Sequence, residues 1–540
     1  EAIQLGAVLW FEYVSHGTLD YYADIVVDNF TLIMILIAGV IGSLIAVFSL
    51  GYMEAFQKEH RDVRDRRNFF FFVLFLFLSA MFGLVVSNNL LYMYTFWEIT
   101  SVCSFLLIGN TESRVAVNNS FKALWMNLLG GAAFAAAIII MGLTYHSTAL
   151  SHLVGLALAG MPVTVILALL LLCGFTKSAM MPFSGWLLGA MVAPTPTSAL
   201  LHSSTMVKAG VFLIIKLCPA LGNNHAGTMA MFVGGITFFF ASCAAISQSD
   251  GKKVLAYSTI SNLGLIVCCA GIGSYEAAWT AIMIVIFHAV AKSLLFLSVG
   301  TAEQQLGSRD IERFDGLFNA MPHLCLCMVI GISGMFLAPF GMLISKWAAM
   351  KAFIDAGHPM LLLLLVFGSA TTIFYWAKWL GKILSVMNGQ ERREQGITKG
   401  EWFTLKTLSW MTIIVCILFP LISNYGVLPY LRITYGFTRD VIAQSNLIIM
   451  SLMVVLLVIL PSRYGKGQPK RKVGALLAGV NMGDDRNYHG AGDNIIPVEL
   501  RNWYMEEWFG ERKMKLSGFA LCMACIFIQF AIILGGVYRG

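Results

Sequence analysis

Charged side chains are scarce in this sequence of 540 residues. Asp, Glu, Lys and Arg make up 12% of the chain, whereas a soluble globular domain carries about 25%. Hydrophobic residues make up 58%, and the apolar stretches extend over nearly the whole chain. This composition excludes a soluble domain with one membrane anchor, and it predicts that the apolar segments themselves form the fold.

No signal peptide is recognisable at the start of the chain, which begins at Glu1. Residues 1–14 are apolar but short, so the presence of a further span upstream of this numbering stays open. The net charge of +7 comes mainly from short clusters in predicted loops, such as those within 61–67 and 470–472. Such short patches fit contact with lipid headgroups and argue against a nucleic-acid partner, and they leave the membrane orientation open.

Apolar segments of roughly 20 residues, the length of a membrane-spanning helix, recur about fourteen times. They lack the short apolar/polar alternation of an outer-membrane barrel, and a spanning helix satisfies its own backbone hydrogen bonds. We therefore predict an all-α polytopic membrane protein. The predicted spans are 32–52, 69–88, 89–108, 121–144, 162–180, 196–218, 228–247, 254–273, 279–299, 321–345, 346–380 with a break, 404–424, 444–461 and 516–536.

The eleven cysteines lack the spacing of a metal site. All of them fall in or beside apolar segments, where cysteine is most often a small packing residue. Cys522 and Cys525 form a C-x-x-C pair, but it lies inside a predicted helix without a second pair nearby. We expect no metal and no flavin, nucleotide, iron–sulfur or nickel site in this chain, so any electron chemistry must lie elsewhere.

A few ionisable residues stand alone in apolar segments. Lys177 is the only formal charge between residues 123 and 207, Lys346 is the first after residue 315, and Glu98 ends an uncharged run that starts at residue 68. An ionisable group in the middle of a bilayer is costly, so it normally faces a polar cavity, a partner charge or an ion path. An ion pair that only fixes helix packing is the alternative for each residue.

Two further segments place His and Lys on one helix. His288 and Lys292 are four residues apart, so they share a helix face and lie about 6 Å apart along the axis. His202 and Lys208 share a segment with the polar residues 203–205. A single histidine would more often be structural, but the repetition favours a proton relay.

Proline and glycine interrupt the apolar segments at 182–196 and at 339–341. Broken helices at membrane depth are tolerated where they line a hydrated or protein-buried site, and a corresponding pair of them indicates inverted repeats. We predict two half-units, 69–220 and 228–380, each with a broken helix that carries one of the isolated lysines.

Three segments of the sequence resemble a known family of membrane proteins. The run KSAMMPFSGWLLGAMVAPTPTSALLHSSTMVKAGVFLI, with KKVLAYSTISNLG and HAVAKSLLFLSVG, resembles the proton-conducting membrane subunits shared by respiratory complex I, Mrp-type cation/proton antiporters and energy-converting membrane-bound NiFe hydrogenases. The resemblance implies two inverted five-helix repeats, each a half-channel, joined by a polar axis at mid-membrane. It implies a role in ion translocation for Glu98 paired with Lys177, and for His202, Lys208, Lys253, His288, Lys292 and the exit-side Lys346. For Lys252, next to Lys253, we favour a lysine that snorkels to the membrane interface.

The chain departs from the family pattern at two positions. Val192 stands where the family often has glutamate, and Ile284 replaces a histidine often found four residues before His288. Lys346, rather than glutamate, is similar to the complex I subunit 5-like type. Outside the repeats we predict N-terminal helices and a basic loop, further spans, a polar interfacial segment and a last span, at 1–68, 381–461, 462–515 and 516–540.

The resemblance implies a proton- or sodium-translocating, antiporter-like subunit of a redox-driven pump, multi-pass in the inner (cytoplasmic) membrane. The tail AGVNMGDDRNYHG resembles Ech-type hydrogenase subunits, which favours a membrane-bound hydrogenase over a complex I-like NADH:quinone oxidoreductase. The alternative is a component of a Mrp-type Na⁺/H⁺ antiporter without redox drive. Partners would be other membrane subunits and a peripheral redox arm, whose subunits would carry iron–sulfur clusters and NiFe or flavin and quinone. The ion and the transport direction stay open.

Overall fold

The computed structural model describes residues 19–21, 24–61, 63–337, 339–385, 393–436, 440–464, 480–481, 487–497 and 502–537. Helices make up most of these residues, which confirms the predicted fold class. The strands form two small antiparallel sheets and no closed barrel within the described ranges. The strands are β1 (Leu19–Tyr21), β2 (Ile25–Val27), β3 (Val480–Asn481), β4 (Asn487–His489) and β5 (Ile495–Pro497).

The first part of the chain, up to residue 246, contains eleven α-helices among the described residues. They are α1 (Asn29–Leu36), α2 (Gly42–Glu59), α3 (Arg67–Val86), α4 (Leu90–Ile108), α5 (Arg114–Tyr145), α6 (Leu150–Leu158), α7 (Thr164–Lys177), α8 (Gly185–Gly189), α9 (Thr195–Ala199), α10 (Met206–Leu221) and α11 (His225–Ile246). A π-helical turn, Ile37–Ile41, joins α1 to α2, and another, Leu200–Ser204, joins α9 to α10.

The later part of the chain contains twelve further α-helices among the described residues. They are α12 (Gly251–Ile272), α13 (Tyr275–Leu306), α14 (Leu317–Ala320), α15 (Pro322–Phe336), α16 (Gly341–Asp355), α17 (Pro359–Leu384), α18 (Lys399–Ile417), α19 (Phe419–Leu421), α20 (Leu428–Tyr435), α21 (Gln444–Tyr464), α22 (Glu506–Phe509) and α23 (Glu511–Val537). Short 3₁₀ or π segments lie at Ala190–Val192, Ile311–Phe314, Glu394–Gly396, Ile422–Val427 and Ala491–Asp493.

Eleven of the described helical segments are long and apolar enough to cross a membrane, or twelve if one bent pair counts as a span. The bent pair is Lys399–Ile417 with Phe419–Tyr435, which meet at 65°. The predicted number of about fourteen spans is therefore not confirmed, because two predicted spans are shorter helices. These are Thr164–Lys177 and the apolar part of α21, Gln444–Leu457.

Side-chain caps fix where several helices begin. Ser113 accepts a hydrogen bond from Ala116 N at the start of α5, and Asp250 accepts one from Lys253 N at the start of α12. Such caps satisfy backbone N–H groups that have no partner within the helix. The turn between α12 and α13 uses Gly273 at φ +75°, a conformation that favours glycine.

Both predicted helix breaks are present in the structure. The first follows α7, which ends at Lys177, and Ala179 there adopts the left-handed conformation at φ +53° before helix resumes at Gly185. The second separates α15 from α16 between Phe336 and Gly341. This break lies before Lys346, and a further interruption between Asp355 and Pro359 falls within the predicted span 346–380. The inverted relation of the half-units and the domain boundaries stay predictions.

The helices α12 and α13 form the centre of the bundle, since every residue of their most apolar stretches is buried. The last helix, α23, packs along α11. There Gly518 faces Met181 and Phe240, and the Cys522 Sγ atom lies 3.8 Å from Thr237 Oγ1. Thr237 Oγ1 in turn accepts a hydrogen bond of 3.1 Å from Met181 N, so α11 connects the first helix break to α23.

Candidate functional site

Lys177 is completely buried at the end of α7, where it faces α4. Its Nζ atom donates hydrogen bonds to the backbone oxygen of Trp97, at 2.9 Å, and to Ser101 Oγ, at 2.8 Å. The same atom lies 4.9 Å from the centre of the Trp97 ring, a distance at which the ring face attracts a cation. Neutral groups of α4 therefore hold this ammonium inside the bundle.

Glu98 follows Trp97 on α4, but its carboxylate does not contact Lys177. Among the described residues, no N and O atoms of this pair lie within the 4.0 Å of an ion pair, although the two side chains interact at longer range. The buried Glu98 Oε1 atom has no hydrogen-bond partner in the described structure. Gly131 of α5 lies against it, since a Cβ there would be 3.2 Å from the Glu98 carboxyl carbon. The family resemblance implies that Glu98 pairs with Lys177, whereas in this structure the two side chains are separated.

The midpoint of the site is a contact between Lys208 of α10 and His288 of α13. The Lys208 Nζ atom lies 3.1 Å from His288 Nδ1, and both side chains are completely buried. Lys208 belongs to the predicted first half-unit and His288 to the second. This contact brings the two predicted half-units together through two groups that can each carry a proton.

His202 lies close to this midpoint, on the π-helical turn before α10. Its ring is completely buried, with its centre 5.1 Å from the ring of Phe296 on α13. Neither ring nitrogen of His202 has a hydrogen-bond partner among the described protein atoms, and neither does His288 Nε2. Buried polar atoms in native proteins nearly always have a partner, often an ordered water. These nitrogens therefore stay available to a further polar partner within the described structure.

Lys292 lies one helical turn after His288, and its surroundings resemble those of Lys177. Its Nζ atom donates to the backbone oxygen of Leu255, at 3.0 Å, and to Ser258 Oγ. It also lies 5.1 Å from the centre of the Trp376 ring. Each of the two lysines is thus held by one carbonyl, one serine hydroxyl and one tryptophan ring. None of these groups is a carboxylate, so either lysine can lose its proton without leaving a buried anion unpaired.

Lys346 is buried on α16, with 6% of its surface exposed. Its Nζ atom lies 5.7 Å from the centre of the Phe238 ring, and no carboxylate pairs with it in the part of the chain that the structure describes. The helix α16 packs against α13, which carries His288 and Lys292. Lys346, the predicted exit end of the buried row of Lys and His residues, therefore lies on a helix that packs against the helix of His288 and Lys292.

The two adjacent lysines at the start of α12 have surroundings opposite to those expected. Lys253 is 45% exposed and lies 3.5 Å from Glu511, away from the buried row. Lys252 is 3% exposed and forms a 2.7 Å ion pair with Glu303. The interpretation of Lys252 as a snorkelling interfacial lysine is wrong, and the structure does not bring Lys253 to the other proposed relay groups. A role for Lys253 stays a prediction.

Several residues at the site have no clear signal in the sequence. Ser258 and Trp376 hold Lys292, but serine and tryptophan are common in apolar helices. Asp28 forms an ion pair with Lys216, whose ammonium lies 5.3 Å from the centre of the Tyr430 ring. Asp28 and Lys216 lie far apart in the sequence, so only the fold reveals the pair.

Comparison with known families identifies two matching regions. Residues 87–372 match the family described as NADH:quinone oxidoreductase/Mrp antiporter, TM, which is more than half of the chain. Residues 10–70 match the N-terminal region of NADH-ubiquinone oxidoreductase (complex I), chain 5. The first region contains each of the ion-translocation residues that the resemblance implied.

Individual relatives agree with this result. The Na(+)/H(+) antiporter subunit A1 of Staphylococcus aureus (strain Newman) is 32% identical over 432 residues, which cover 75% of this chain and 52% of that protein. The chain spans about half the length of the curated relatives it matches.

Two solved structures share the fold. A chain of the Mrp complex from Dietzia sp. DQ12-45-1b has a TM-score of 0.70 at 26% identity, covering 86% of this chain and 53% of that one. A chain of the membrane-bound sulfane sulfur reductase, an archaeal respiratory membrane complex, has a TM-score of 0.69 at 20% identity, covering 84% and 92%. Both solved structures are of multi-subunit membrane complexes.

Proposed function

This chain belongs to the NADH:quinone oxidoreductase/Mrp antiporter family of transmembrane proteins, and from that premise we propose that its buried row of Lys and His residues translocates protons. The observation that carries the proposal is the 3.1 Å contact between Lys208 Nζ and His288 Nδ1, which connects the two half-units. Amine and imidazole groups exchange protons readily, and in their protonated forms they repel Na⁺, so the row favours H⁺ over Na⁺ as the ion it conducts.

The separation of Glu98 from Lys177 suggests how the row is controlled. When the ammonium rests on Trp97 O and Ser101 Oγ, its direct contacts are neutral groups, so the proton is more easily released toward His202 than from an ion pair with Glu98. A change in the electrostatic field of a neighbouring subunit that brings Lys177 to Glu98 would keep the proton on the amine. Released protons then pass along Lys208, His288 and Lys292 to Lys346.

The energy source we propose is a redox partner in the same complex, such as a membrane-bound hydrogenase in the inner membrane. The similarity of the tail AGVNMGDDRNYHG to Ech-type hydrogenase subunits supports this choice. A Mrp-type Na⁺/H⁺ antiporter without redox drive is the second candidate, and the antiporter subunits among the relatives support it. Purification of the intact complex discriminates between them: a co-purifying hydrogenase large subunit supports the first, and small membrane subunits alone support the second.

The proton path is tested with the purified complex reconstituted in vesicles that contain a pH-sensitive dye. We expect Lys208→Met, Lys177→Ala and Glu98→Gln to abolish coupled proton transport, whereas the redox activity with an artificial acceptor persists. Lys58→Ala is the matched control, because the Lys58 side chain is 71% exposed and pairs with Glu54 on the same helix. Undiminished proton transport by Lys208→Met would overturn the proposed path, and redox-driven sodium uptake without acidification would overturn the choice of H⁺.

A further inference from the structure

A groove of about 510 Å³ runs between α15 and α18 on the outer surface of the bundle. Its volume falls within the range of about 300–1,000 Å³ that small-molecule sites occupy. Its wall is almost entirely apolar, apart from one basic end. The residues that define this α15–α18 groove for the argument are His323, Cys327, Ser333, Phe340, Lys406 and Trp410.

Lys406 gives the groove its charge. It is the eighth residue of α18, the helix Lys399–Ile417, and its side chain is exposed. No carboxylate lies within 4.0 Å of its ammonium in the described structure, and the ammonium lies 5.6 Å from the centre of the Trp402 ring. An exposed cation about 10 Å inside the start of a spanning helix is costly without an anionic partner. Within the described residues, the groove therefore presents a positive charge that no carboxylate pairs with.

The neighbouring acidic residue does not supply a counter-ion. Glu394 accepts hydrogen bonds from the backbone N–H groups of His323 and Leu324, at 2.8 and 3.1 Å, so it caps the start of α15. Its other oxygen lies 2.8 Å from His323 Nδ1. These contacts orient Glu394 toward α15, and they leave Lys406 as the charged group that faces the groove.

Aromatic residues mark the same strip of α18. Trp402, Lys406 and Trp410 are spaced four residues apart, so they lie along one helix face. Trp410 is 59% exposed. Tryptophan next to lysine is typical of the depth at which headgroups meet acyl chains. From Lys406 the groove continues along apolar residues to Phe340, directly before α16.

We propose that the α15–α18 groove binds one anionic glycerophospholipid. Its phosphate contacts Lys406, and one acyl chain lies along Cys327 and Ser333 toward Phe340. Basic pockets between membrane helices are a known mode of recognising anionic lipid headgroups. This lipid occupies a surface separate from the buried row, so the proposal holds or fails independently of the proton path.

The test is native mass spectrometry, with analysis of retained lipids, on the complex purified from membranes in mild detergent. One lysine near a membrane surface is worth about 1 kcal/mol toward anionic lipid, so we expect Lys406→Glu to retain at least about five-fold less. The matched control is Lys399→Glu, which changes charge equally on the same helix but outside the groove. Equal retention by the two variants would overturn the proposal.

A second pair of variants tests the groove without changing charge. Ser333→Trp fills the groove, whereas Leu363→Trp introduces the same side chain on α17, where Leu363 is 53% exposed. We expect loss of the bound anionic phospholipid only with Ser333→Trp. Retention in Ser333→Trp, or retention of only zwitterionic lipid by the unmodified complex, contradicts the proposed site.

Discussion

Gly131 offers a way to move the Glu98 carboxylate without removing it. A Cβ atom at this position would lie 3.2 Å from the carboxyl carbon of Glu98 and closer still to Oε1, whereas ordinary van der Waals contact begins at 3.4 Å. We expect Gly131→Ala to displace the carboxylate by about 1 Å, a shift that can reduce the rate at a functional site by about a hundredfold. Coupled proton transport in vesicles measures the effect.

The matched control is Gly142→Ala on the same helix, where an added Cβ meets no atom within 4 Å. Both substitutions favour helix formation by about 1 kcal/mol, so a difference in transport between them reflects the Glu98 contact rather than helix stability. We expect Gly142→Ala to transport at the unmodified rate, and both variants to keep redox activity. If Gly131→Ala transports as well as Gly142→Ala, the position of the Glu98 carboxylate does not control the path.

Two further predictions concern contacts that hold the site together. Burial would raise the pKa of Glu312, but hydrogen bonds from Lys382 and Tyr504 outweigh it and hold the pKa below its usual range. The resulting stability is present above the unfolded pKa of about 4.3 and is lost as pH falls through the lower folded pKa. Hydrogen exchange around Tyr504 should therefore speed up in that window, and an equal pH response in Glu312→Gln would contradict this. Thr237→Val should destabilise the complex by about 1–3 kcal/mol, because Met181 N loses its acceptor. Thr237→Ser should not lower the melting temperature, and equal melting of both variants would refute the role of the hydroxyl.

The sequence was a good guide to where the bundle is polar. Placing an ionisable group in the membrane interior costs free energy, and an apolar segment can be recognised from neighbouring residues alone. Lys177 and Lys346 can therefore be identified as unusual from the sequence. Proline and glycine likewise mark the helix breaks next to both residues, since they disrupt helical hydrogen bonding locally. The structure places both lysines in buried positions directly beside those breaks.

Features that depend on distant partners could not be predicted in the same way. Lys252 and Lys253 are adjacent, and their side chains point about 100° apart around the helix. Lys252 is the buried one because it forms an ion pair with Glu303 on α13. The separation of Glu98 from Lys177 depends on how closely α4, α5 and α7 pack. The predicted number of spans is not confirmed for a related reason, because composition does not show that α7 ends after 14 residues.

The packing of α23 has a consequence for the order in which the protein is assembled. Gly518 on α23 faces Met181, and Cys522 lies beside the threonine that binds the Met181 backbone, so contacts across more than 280 residues of chain complete the first helix break. During synthesis, α7 and α11 enter the membrane long before α23. The packing around the first helix break therefore stays incomplete until this late helix inserts.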